Sequence, residues 1–194
     1  MFVAISAEVA NDRRVSSRFM EDLKLPQHKI EKICQTRWLS RRQVIARILE
    51  QRDALRLFFS EEAKTDKTDG ASIIYETMRK PGAKHILLFL DFVLRKVDNM
   101  NIEFQAEDFR LHKLFESLSD EYRNIMSFFV KESVMASVKL NAINPAHPGN
   151  YKKLKEVHFG GCCEAMLLQE PLENDEERFR SDALSFLVEL CKQI

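Results

Sequence analysis

The alternation of apolar and polar positions along the chain is helical almost throughout. From Arg41 to Ser60, Val44, Ile48, Leu55 and Phe59 recur at helical spacing, and Ile45, Leu49 and Phe58 widen the stripe. No proline or glycine interrupts the run, so the spacing predicts one helix over 41–60. Ser40 and Gln43 stand three apart as a capping box, with Leu39 and Val44 placed for a hydrophobic staple. Arg13–Leu25 reads as a short helix with Val15, Phe19 and Leu23 on one face, stopped by Pro26. Ala71–Arg79 reads as another, ended by Pro81 and Gly82.

The middle of the chain carries the strongest pattern. Over Ala83–Gln105, Ile86, Leu90, Val93, Val97, Met100 and Phe104 step by three and four, and Leu87, Leu88, Phe89, Phe92 and Leu94 make the first half apolar nearly all round. Asp108–Met135 repeats the stripe with Leu111, Phe115, Leu118, Tyr122, Ile125 and Phe129. A short polar joint near Ala106–Asp108 predicts that the two form a long antiparallel helical hairpin. A last helix shows Phe179, Ala183, Phe186, Leu187, Leu190 and Ile194, opened by Asn174 and Glu177 as a second capping box.

Two stretches break the pattern. Residues 61–70 hold almost nothing to bury and read as a solvated, disordered loop, and 141–150 contain the turn cluster Asn144 to Gly149. Gly160 and Gly161 divide a basic piece, Tyr151–Phe159, from an apolar one, Cys162–Leu168. The fold class expected is therefore mainly α, a multi-helix domain.

Composition narrows this. The 194 residues are 45% hydrophobic and 31% charged, with five Gly and five Pro, which disfavours a β-sandwich or a disordered chain. Fourteen Phe against one Trp point to a Phe/Leu core. The net charge is zero, but residues 1–60 carry 12 Lys/Arg against 7 Asp/Glu, so positive charge collects in the N-terminal third. The longest strongly apolar run, Ile86–Leu94, is too short to span a bilayer and is broken by Asp91. Without a signal-peptide pattern, the expectation is an intracellular chain.

The candidate chemistry is sparse. Cys34, Cys162, Cys163 and Cys191 follow no disulfide or zinc-finger spacing, and reduced thiols are expected. His158 and Cys162 have the spacing of half a metal site, with no second half. Asp91 and Asp98 share a helix face, where a metal or, more simply, a solvent edge or helix pairing would account for them. No phosphate loop, nucleophile elbow or metalloprotease motif is present, and no cofactor or metal is expected. Arg37, Arg41 and Arg42 crowd the start of the 41–60 helix beside Trp38. Cations there oppose the helix dipole, yet with the free N–H groups they form an anion site, the alternative being a solvated basic face with Trp38 as a core anchor.

Thr36-Arg-Trp-Leu-Ser40, followed by Val44 and Ile48-Leu49-Glu50, resembles the hAT superfamily of transposases and host proteins derived from them. Leu88 to Leu94, Asn99 to Asn101, Phe104-Gln105 and Phe186 to Gln193 resemble the helical stretch that follows in such proteins. The resemblance implies a ribonuclease-H-like core interrupted by a helical insertion, with three metal-binding acids, two before the Arg-Trp motif and one after the insertion. It implies residues 1–40 as a remnant of that core and 41–194 as the insertion-type domain. Trp38 and Arg37 match the motif beside the catalytic centre, with Trp38 stacking on a displaced base. The first two acids are expected to lie before this sequence and the third beyond it, and Asp12 and Asp22 fall on or beside a helix, poor substitutes. The expectation is a non-catalytic, nuclear relative acting as a DNA- or protein-interaction module through Arg37, Trp38, Arg41 and Arg42, or through exposed apolar helix faces that also permit homo-oligomers. A partial copy of an active transposase and a plain helical protein-binding scaffold are the alternatives.

Overall fold

A computed structural model of the chain describes residues 21, 39–65, 70–105 and 111–194. The predicted helix over 13–25 and the remnant core assigned to 1–40 lie outside them, apart from Glu21, Leu39 and Ser40. The described residues are mainly helical and contain no strand. Eight α-helices run through them: α1 Leu39–Glu50, α2 Arg52–Thr65, α3 Gly70–Arg79, α4 Ala83–Gln105, α5 Leu111–Phe129, α6 Glu132–Ser137, α7 Gly161–Gln169 and α8 Glu176–Gln193. No helix among them is long and apolar enough to cross a membrane. The chain divides into two compact units, the first ending at Leu94 and the second beginning at Arg95.

In the first unit the apolar stripes become one core. Val44, Ile45 and Ile48 from α1, Leu55, Phe58 and Phe59 from α2, Ala71, Ile74 and Met78 from α3 and Leu87 from α4 bury together. Phe58 and Phe59 meet edge to face at 4.9 Å. Arg52 at the head of α2 donates through Nη2 to the Met78 carbonyl at 3.0 Å. A cation thereby caps the end of α3, where the helix dipole is negative. The contact also fixes α2 and α3 as an antiparallel pair.

Three expectations change here. The 41–60 run is two helices, because Gln51 interrupts it, although Gln51 donates its N–H to Arg47 O at 3.0 Å and accepts from Leu55 N–H at 2.9 Å. Gln51 is fully buried, so the break sits inside the core, where neither Gly nor Pro marks it. The loop expected over 61–70 is helical through Thr65 and begins the next helix at Gly70. Leu39 is already helical, which puts Ser40 inside the first turn instead of at the cap.

In the second unit α5 packs on α8, which also meets the turns Leu154–Glu156 and Glu173–Asp175. Phe179, Ala183, Leu187 and Cys191 form the buried stripe of α8, while Phe186 is turned outward. The helix expected to run to Met135 ends at Phe129. Val130 forms an antiparallel bridge with Tyr151, and Lys131 turns extended and gives its N–H to Asn150 O at 2.8 Å. Lys152 N–H returns to Phe129 O at 2.8 Å and His158 N–H to Phe128 O at 2.9 Å. The segment 150–158 is thus hydrogen-bonded to the end of α5.

The 141–150 loop is held by its own polar groups. Asn144 Oδ1 accepts from Ala146 N–H at 2.9 Å, and the Tyr151 hydroxyl donates to Pro145 O at 3.0 Å. Gly160 precedes α7 with φ 94°, a conformation that strains any residue with a Cβ. The capping box expected at Asn174 does not form: a 3-10 turn occupies 173–175, and α8 starts at Glu176 without a side-chain cap.

Candidate functional site

Of the four basic-cluster residues, Arg41 and Arg42 are described, in the first turn of α1; Arg37 and Trp38 lie outside the described residues. Arg42 reaches across to α4, its Nε 3.4 Å from Asp91 Oδ1, with the two side chains 31% and 18% exposed. This pair assigns Asp91 the helix-pairing role and gives Arg42 a packing role. The neighbouring basic residues are similarly engaged: Arg47 bonds Glu50 at 2.7 Å, and Arg52 caps α3. Arg41, in the same first turn as Arg42, is half-buried. Asp98 is buried, at 7% exposure.

A second cluster went unread in the sequence. His158 Nδ1 lies 2.6 Å from Glu164 Oε1, and the same oxygen accepts the Phe159 N–H at 3.1 Å. The edge of the imidazole meets the Phe128 ring at 5.5 Å. On the other side of Phe159, the Arg180 guanidinium stacks over the ring at 5.5 Å and its Nε donates to Glu176 Oε1 at 2.8 Å. His158, Glu164, Glu176 and Arg180 line a groove of about 440 Å³ with Lys155 and Leu168. Glu164 is in the first turn of α7, and the left-handed Gly160 turns the chain so that it faces back to His158.

An oriented imidazole backed by a carboxylate is half of a nucleophilic or general-base constellation. The other half is not assembled. Burial pushes the adjacent Cys163 thiol up to about 12, with Glu164 and Cys162 adding and Arg180 opposing, so it stays a thiol at neutral pH. Cys162 is exposed, and the partner His158 takes is Glu164, not the cysteine that the His158/Cys162 spacing suggested. Among the described residues no three His, Cys, Asp or Glu side chains group as a metal site would require. The dyad's evident work is structural: it clasps α7 to the end of the 150–158 segment. The sequence singled out His158 but not Glu164, its partner.

Comparison of the chain with family models, with curated proteins and with solved structures returns no match.

Proposed function

We propose that this chain is a non-catalytic relative of the hAT transposases that acts in the nucleus as an interaction module, contacting DNA through the start of α1. The reading rests on Thr36-Arg-Trp-Leu-Ser40 leading into a helix whose first turn carries Arg41. The N–H groups and the positive dipole end of that helix favour an anion, a guanidinium in the first turn adds to them, and tryptophan is a residue type that stacks on bases. Arg42 is a weaker contributor because Asp91 holds it. In this reading α4 and α5 form the hairpin of the family's helical insertion, an arrangement supported by the Lys96–Glu121 ion pair at 3.6 Å.

Fluorescence anisotropy with a hairpin DNA tests the proposal. About three neutralised phosphates would weaken binding roughly 40-fold between 50 and 200 mM salt. Trp38→Ala and Arg37→Ala each lower affinity about tenfold by removing a stack or a phosphate contact. Binding that is unchanged in both variants rules the site out.

A protein-binding scaffold is the second reading. It is favoured by Phe115 and Leu168, which stand 74% and 85% exposed on otherwise well-packed helices.

A further inference from the structure

The second half of α4 and the first half of α5, both within the second unit, enclose a groove of about 400 Å³. Its apolar floor is Met100, 8% exposed, and Leu118. Ile102, on one wall, is 58% exposed. Phe115, one turn before Leu118, is 74% exposed, although the sequence stripe placed it in the core. The opposite character lines the rim, where Asp120 is exposed and Glu121 half-buried.

Charge decides what such a groove accepts. Of the residues that line it, two are acidic, Asp120 and Glu121, and none is basic. A phosphate backbone is repelled there. A second copy meeting this face by two-fold symmetry would set acid against acid. A cation is welcomed, as the Lys96 ammonium 3.6 Å from Glu121 Oε1 shows within the chain itself. Two helices with a trough between them, apolar at its floor and polar at its rim, accept a third, amphipathic helix through residues spaced i, i+3, i+4 and i+7.

We propose that this groove receives a lysine- or arginine-bearing amphipathic helix of a partner protein. Apolar side chains of that helix cover Ile102, Leu118 and Phe115, and its basic flank meets Asp120 and Glu121. The proposal rests on the scaffold reading and supplies its partner chemistry; it is independent of the DNA contact.

The test uses the full chain and three synthetic helical peptides with one shared apolar stripe, whose flanks carry Lys, Gln or Glu. The Lys peptide binds about tenfold tighter than the Gln peptide, the Glu peptide binds weakest, and the order collapses near 500 mM salt as the charges are screened. Ile102→Glu and Asp120→Lys, both at exposed positions and so compatible with folding, each weaken the Lys peptide about tenfold. Equal binding of the three peptides, or binding indifferent to both substitutions, overturns the proposal. Loss of peptide binding in Leu168→Ala alone keeps a scaffold and removes this groove. A dimer that dissociates on Ile102→Glu also overturns it, replacing the partner with a second copy.

Discussion

Phe159→Ala is expected to destabilise the second unit by about 3–5 kcal/mol, the cost of emptying a fully packed aromatic site. The ring is fully buried, lies 6.0 Å from the Phe179 ring and is roofed by the Arg180 guanidinium at 5.5 Å. Val157 and Cys163, each almost fully buried as well, flank it in sequence on segments that the Gly160 turn brings close. Removal of the ring therefore costs transfer energy, leaves a cavity, and takes the face from a cation. Urea denaturation measures the loss. Phe159→Leu, which keeps most of the volume, should cost under about 1.5 kcal/mol. A loss below about 1 kcal/mol in the alanine variant would show that the site collapses freely and that Phe159 is no anchor.

Raising the pH should destabilise the fold through two buried thiols. Burial pushes Cys163 and Cys191 each up to about 12, against an ordinary value near 8.5 for an exposed cysteine. The folded state keeps both protons over a range where the unfolded chain releases them. Stability is therefore complete below about pH 8.5 and falls as pH climbs towards 12, by roughly 1.4 kcal/mol per pH unit for each thiol. Tyr122 and Tyr151, also raised by burial, add loss in the same direction at still higher pH. Denaturation at pH 8 and pH 10 measures the effect. Cys191→Ala should recover about half of the thiol contribution, because one of the two titrating groups is gone. A wild-type chain equally stable at both pH values would mean that neither thiol is sequestered.

What the sequence revealed depended on local punctuation. Pro81, Gly82 and an unbroken stripe located α4 at its observed bounds, Ala83–Gln105. Gln51 was unreadable because a buried amide carries no propensity signal, so two helices looked like one. The end of α5 was unreadable for a different reason. Phe129 and Val130 continue a helical stripe, and the segment from Asn150 to His158, far along the chain, draws the backbone away. Phe115 shows the limit of periodicity: the stripe predicts a face, and only the packed neighbours decide whether the face is covered.

The basic cluster was legible as a cluster but not as a division of labour. Nothing local shows that Arg42 pairs with Asp91, which stands on another helix. The His158–Glu164 clasp was illegible because its geometry depends on a left-handed glycine and on the first turn of α7, neither of which shows in side-chain chemistry.

The backbone bonds that join 150–158 to the end of α5 bear on how the chain meets proteases. Lys152, Lys153 and Lys155 would mark this stretch as a trypsin target if it were a simple surface loop. Yet Lys152 and His158 give their amides to Phe129 and Phe128, and the turn Leu154–Glu156 lies against α8. A protease must draw extended chain into its cleft, and here it can do so only after the corner has come apart. Cleavage at these lysines thus counts openings of the second unit, so the nicking rate becomes a gauge of that unit's stability.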